Sequence, residues 1–178
     1  MVNMTAALRK ALQTRSAEEL ARIEEHWAIT NIMAESWSGT SGEEERGLQD
    51  IISARFAWAA LSPNAREILH QIITFKVMDG VPREDLQALS GLAGAEFVAA
   101  LAQLEQNAML IEIRPDAKVR QRLEARSQKV GLVLAIPKDF YTIFTTIHQE
   151  IYGVYGDRSK MQLKEVLAAL DPDKLQVM

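Results

Sequence analysis

The chain has no cysteine among its 178 residues. That removes disulfides, thiolate metal sites and thiol nucleophiles from consideration. Aromatic residues are few, at 6%, and proline is limited to five positions. No apolar run is long enough to span a bilayer, and the first twenty residues alternate apolar and polar side chains instead of forming a leader-like stretch. The expectation is a cytoplasmic protein that does not engage a membrane. Net positive charge is also missing, the formal total being −4, whereas a nucleic-acid reader ordinarily carries a basic face. No phosphate loop, HExxH run or GxSxG elbow occurs. With no nucleophile, metal set or phosphate cradle in sight, the sequence predicts a non-enzymatic protein without a cofactor or metal.

What is present is a core and a helical rhythm. Hydrophobic residues make up 48% and charged residues 25%, enough for one domain with helical extensions. Met4, Ala7, Leu8 and Ala11 recur at helical spacing. Ser16 and Glu19 form a capping box ahead of the stripe Leu20, Ile23 and Trp27. The stretch 29–45, with Gly39 and Gly42, reads as partly loop. Ser41 and Glu44 repeat the capping-box spacing, before a helix expected to bury Leu48, Ile51, Ile52, Phe56 and Ala59.

From Leu61 the pattern sharpens. Ser62 is an N-cap and Pro63 sits where its missing amide costs nothing. Ala65, Ile68, Leu69, Ile72, Ile73 and Phe75 make the buried face of a helix expected to end at Asp79-Gly80. A short helix runs from Pro82 through Leu89, then a turn from Ser90 to Gly94. A third helix spans Ala95 to Gln106 with Phe97, Val98, Leu101 and Leu104 on one side and Asn107 at its end. The period then switches to two. Met109–Arg114 and Val130–Ile136 read as strands. Between them Asp116 can cap a short helix in which Val119 and Leu123 pair. After Pro137, Phe140, Ile143, Phe144, Ile147 and Ile151 form an amphipathic helix that Gly153 and Gly156 break. Ser159 opens a last helix burying Met161, Leu163, Val166, Leu167 and Leu170, which stops at Asp171-Pro172.

Three helices followed by two strands is the order of a winged helix. The fold expected is mainly α: a winged-helix core over 61–137 with a two-stranded β-wing, an N-terminal helical extension over 1–60 and C-terminal helices over 138–178.

Two stretches carry a family resemblance. "LSPNAREILHQIITFKVMDGVPREDL" resembles the entry to the winged-helix region at the N-terminus of bacterial XPB-type DNA helicases, and "LVLAIPKDF" is similar to that family's second wing strand running into a Pro-led helix. "LRKALQTRSAEELARI" is similar to its helical lead-in. The resemblance implies an accessory domain without a motor, since no helicase signature is present, and it carries over no catalytic residue.

The charge is distributed unevenly. Residues 114–129 hold six basic side chains, Arg114, Lys118, Arg120, Arg122, Arg126 and Lys129, against Asp116 and Glu124, while the rest of the chain is acidic. Lys and Arg at this density serve phosphate contacts or an acidic protein surface; otherwise they form a solvated loop. The third helix offers only Gln103 and Gln106 for base readout, beside Glu96 and Glu105. The functional expectation is therefore a module that contacts DNA backbone or an acidic partner through a basic wing. The alternative is a protein-interaction scaffold that binds no nucleic acid. His26, His70 and His148 lack ligand spacing. Trp27, Trp58 and Phe56 read as core. Trp37 reads as core or as a partner anchor in a loop. The helix after Pro137 has apolar surface enough for the N-terminal helices or for a second copy, so a homodimer belongs among the expected partners.

Overall fold

A computed structural model describes residues 4–29, 50–126 and 131–156, with side chains up to 153. Its first compact unit is Met1–Phe144 and its second Thr145–Met178. In order come α1 (Ala6–Gln13), α2 (Ala17–Trp27), α3 (Ile51–Ala59), α4 (Pro63–Thr74), α5 (Arg83–Ser90), α6 (Gly94–Gln106), β1 (Ile111–Ile113), α7 (Ala117–Ala125), β2 (Val133–Ala135), a 3₁₀ turn (Lys138–Phe140) and α8 (Tyr141–Gly156). The fold is mainly helical, with a two-stranded antiparallel sheet among the described residues. Among the described residues no helix is long and apolar enough to cross a membrane.

Local chemistry sets most helix starts. Ser16 and Glu19 make the reciprocal capping box of α2. Ser62 accepts from the Ala65 amide at the head of α4, with Pro63 at its first position. Asp50 and Asp116 cap α3 and α7. The cap of α1 is joined to a distant residue. Thr5 donates its amide to Asp139 Oδ2 at 2.9 Å and its hydroxyl to Asp139 Oδ1 at 2.5 Å, so the 3₁₀ turn latches the first helix.

Helix ends depart further from expectation. α4 stops at Thr74, not at Asp79-Gly80. Its C-terminus is a Schellman closure in which Val77 N donates to Ile72 O at 3.0 Å and Lys76 N to Ile73 O at 3.1 Å. Lys76 takes φ +57°, a left-handed conformation that its Cβ disfavours. Ala28 and Ala108 occupy the same left-handed position after α2 and α6. Lys76 is exposed, so Lys76→Gly removes the penalty without removing a contact. It is expected to raise stability by about 0.5–1 kcal/mol after the added unfolded-chain entropy is deducted. Urea denaturation of the variant checks this, and an unchanged or lower midpoint refutes it.

Several side chains also point elsewhere than the periodicity suggested. Ile52 and Phe56 lie in solvent; α3 instead buries Trp58 and the small residues Ser53, Ala54 and Ala57, which admit close packing against α2. Phe75 is exposed because α4 has already ended. Val98 is 64% exposed, on the outer side of α6. In the second unit α8 runs through Gly153 instead of breaking there, and Ile151 is exposed. The helix expected after Ser41 is described from Asp50 onward as α3; its Ser41 capping box and Leu48, Trp37 and the helix expected after Ser159 lie outside the described residues.

The strands are shorter than the segments Met109–Arg114 and Val130–Ile136 that announced them. β1 and β2 pair as Ile111↔Ala135, Glu112↔Leu134 and Ile113↔Val133. On the other edge of β2, Val81 exchanges both backbone hydrogen bonds with Leu134 at 2.9 Å each, and Ile136 N donates to Met78 O at 3.0 Å. β2 is thus central and buried on both faces, which accounts for its continuous apolar run.

Candidate functional site

The connection between β1 and β2 is built around α7. Asp116 accepts from Val119 N at 2.9 Å and starts the helix. Val119 and Leu123, one turn apart, are buried with Val133 of β2, and half-buried Ile113 packs against them. The wing is therefore a helix pinned on the sheet and not a bare hairpin loop.

This placement divides the six basic residues read from the sequence. Arg122 belongs to the fold. Its guanidinium donates to Asp79 Oδ1 at 3.4 Å and to the Gly80 carbonyl, tying α7 to the segment before α5. Lys118, Arg120 and Arg126 are exposed, and no ion pair or hydrogen bond holds their head groups among the described residues. They do not form one face. At 100° per residue Arg120 stands about 160° from Arg122. Arg120 therefore flanks one side of the buried Val119–Leu123 ridge, and Lys118 the other with Arg122. Arg126 caps the helix end and lines a shallow depression with Arg122. Arg114 is exposed at the end of β1 and lines a separate groove with residues of α1. Lys129 lies outside the described residues.

α6 offers little to a base edge. Gln103 is engaged, accepting from Ser62 N at 2.9 Å. Glu105 shares Arg83 with Glu112, each carboxylate 3.1 Å from the same guanidinium nitrogen. Burial pushes the Glu105 carboxyl above its ordinary range, against the pull of Arg83 and with the help of Glu112. Arg15 donates to the carbonyls of Gln106 at 3.0 Å and Glu105 at 2.5 Å, closing the C-terminal end of α6 from the α1–α2 turn. What α6 presents to solvent is Ala95, Glu96, Val98, Ala99 and Gln106.

The histidines have structural partners. His26 Nε2–H donates to the Ala57 carbonyl at 2.9 Å, His70 lies 3.4 Å from the Thr74 hydroxyl, and the His148 ring lies tilted against that of Tyr152, centroids 4.6 Å apart. Among the described residues no group of three or more His, Asp or Glu side chains could hold a metal ion. Burial lowers the His26 pKa below 6.5, the Ala57 carbonyl opposing it. The unfolded chain therefore takes up this proton first as pH falls. Stability from neutral His26 is complete above pH 6.5 and declines as pH drops toward the folded value. Melting of wild type and His26→Gln between pH 7.5 and 5.5 is expected to show the steeper fall in wild type. Parallel curves refute the assignment.

Sequence reasoning missed Lys10 and Lys138 as companions of Arg114, and Asp139 as the latch on Thr5. All join residues far apart in the chain, so no local motif marks them. Family models, curated proteins and solved structures yielded no match to this chain.

Proposed function

We propose that 61–137 is a winged helix, and that the protein is a non-enzymatic module that meets a polyanion, foremost the phosphate backbone of DNA, through α7 instead of through α6. The order α4, Val81, α5, α6, β1, α7, β2, with Val81 bridged to β2, supports the winged-helix reading. The observation that carries the function is the placement of three exposed, unengaged cations, Lys118, Arg120 and Arg126, on a helix pinned to the sheet. Cations on two sides of one ridge suit two rows of phosphates and carry no base readout. The solvent face of α6, with alanines, Val98 and Glu96, opposes insertion into a groove lined by phosphates.

The same face favours the second reading, a protein-interaction module. Val98, with Ala95 and Ala99 beside it, is a small apolar surface of α6 left exposed among the described residues.

Fluorescence anisotropy with short duplex DNA at several salt concentrations separates the two. Binding is expected to weaken linearly in log salt. Lys118→Glu/Arg120→Glu/Arg126→Glu is expected to lower that slope by about one per cation removed. Arg122 is left intact because it holds the fold. Absence of binding at low salt, or an unaltered slope in the variant, removes the polyanion reading and leaves protein contact.

A further inference from the structure

A groove of about 730 Å³ lies in the first unit between α1 and the strand pair. That volume lies within the range of small-molecule sites. Its walls are mostly apolar. Ile111, Ile113, Ala135 and Ile136 come from the sheet and its exit, and Ala7 and Ala11 from α1. Leu132 stands at the same groove with 60% of its surface in solvent, a large aliphatic side chain with nothing described to cover it.

Charge is arranged asymmetrically around this apolar surface. Lys10, Arg114 and Lys138 line the groove, all exposed, and no ion pair or hydrogen bond engages their head groups among the described residues. The three carboxylates that also line it are committed elsewhere. Asp79 is held by Arg122, Glu112 by Arg83, and Asp116 accepts from the first turn of α7. Asp79 thus has a cation of its own, Glu112 shares one with Glu105, and Asp116 is hydrogen-bonded at a helix start, whereas the three groove cations have no partner among the described residues. Tyr141 supplies a neutral polar wall; burial and the nearby Asp79 and Asp116 push its phenol up to about 12, so it stays a hydrogen-bond donor.

We propose that this groove binds a small amphipathic organic anion, with its carboxylate or sulfonate among Lys10, Arg114 and Lys138 and its hydrocarbon body on the sheet side of the groove. The anion supplies the charge that the cations lack, and the hydrocarbon covers Leu132 and Ile113. This site is separate from the α7 cations and stands whether or not the protein binds DNA.

Calorimetric titration of the full chain with 1-naphthoate and with uncharged 1-naphthamide tests it. Naphthoate is expected to bind saturably at one site, about tenfold tighter than the amide, the step expected of a charge-assisted contact. Lys10→Glu/Arg114→Glu/Lys138→Glu, all at exposed positions, is expected to lose about tenfold in naphthoate affinity while melting as wild type. Ala7→Trp, which fills the groove and leaves the cations in place, is expected to weaken both probes. Lys118→Glu/Arg120→Glu/Arg126→Glu is expected to leave naphthoate binding unchanged. Equal affinity for acid and amide, no saturable naphthoate binding, or retention of binding in a folded charge-reversed or Ala7→Trp variant would overturn the proposal. So would a helical Leu/Glu peptide that binds at these residues when naphthoate does not, since the occupant is then a protein.

Discussion

Trp27→Ala is expected to destabilise the protein by about 3–5 kcal/mol, the largest effect of any single substitution considered. Trp27 is fully buried at the end of α2. Its ring centroid lies 5.0 Å from that of Phe140 and 6.1 Å from that of Phe144, and Phe144 in turn meets Trp58 edge-on at 5.7 Å. Its indole N–H donates to the Asn107 carbonyl at 2.9 Å, where α6 ends. One side chain thus joins α2, the end of α6 and the start of α8. Truncation leaves a cavity among rigid rings and an unpaired buried carbonyl, and aromatic neighbours cannot collapse to fill it. A domain is ordinarily stable by only 5–15 kcal/mol, so the variant approaches the threshold of folding. Trp27→Phe retains ring packing and loses the indole donor. It is expected to cost about 1–3 kcal/mol. Urea unfolding measures both, and a loss under about 1 kcal/mol in Trp27→Ala would show that the cluster is not central.

Gly80→Ala is expected to cost about 3 kcal/mol. Gly80 has φ +148°, a conformation L residues rarely adopt, and a Cβ there meets Val133 Cγ2 at 2.8 Å and Val119 Cγ1 at 3.4 Å. Neither neighbour can yield easily, since both belong to the apolar cluster that pins α7 to β2. The Gly80 carbonyl also accepts from Arg122, so any backbone shift disturbs the α7 tether. Gly91 is the control. Its φ is +68° but its Cβ meets nothing within 4 Å, so Gly91→Ala is expected to cost only about 1 kcal/mol from the left-handed backbone. In a Val133→Ala background the steric part of the Gly80→Ala penalty is expected to shrink. A double-mutant cycle with no coupling would assign the whole cost to backbone conformation.

These two positions show how legible the molecule was. Trp27 was marked as core because it continues the stripe Leu20, Ile23, Trp27 behind a capping box. Gly80 was singled out for the wrong reason. Its sequence context predicts a helix terminator, but α4 has already closed through Lys76, and Gly80 is required where the chain passes under Val133. A glycine's sequence context does not distinguish a cap from a close approach, because the atom that excludes the Cβ lies far along the chain. Ile52, Phe56 and Val98 teach the same point. Helical periodicity marks an apolar face, but when a helix is apolar nearly all round the packing partner selects which side is buried.

For the candidate site the division falls within a single segment. The cluster of positive charge over 114–129, the Asp116 cap and the Val119–Leu123 pair were readable, because charge composition, capping and i, i+4 spacing are local properties. That Arg122 is spent on Asp79 and Gly80, that Arg120 lies across the ridge from it, and that Arg114 faces a groove with Lys10 and Lys138 are contacts between distant parts of the chain. Residue order thus determined the helical class, several helix starts, the two strands and the location of the positive charge. Tertiary structure alone decided which cations are free and what they surround, because burial and pairing depend on which segments meet in space.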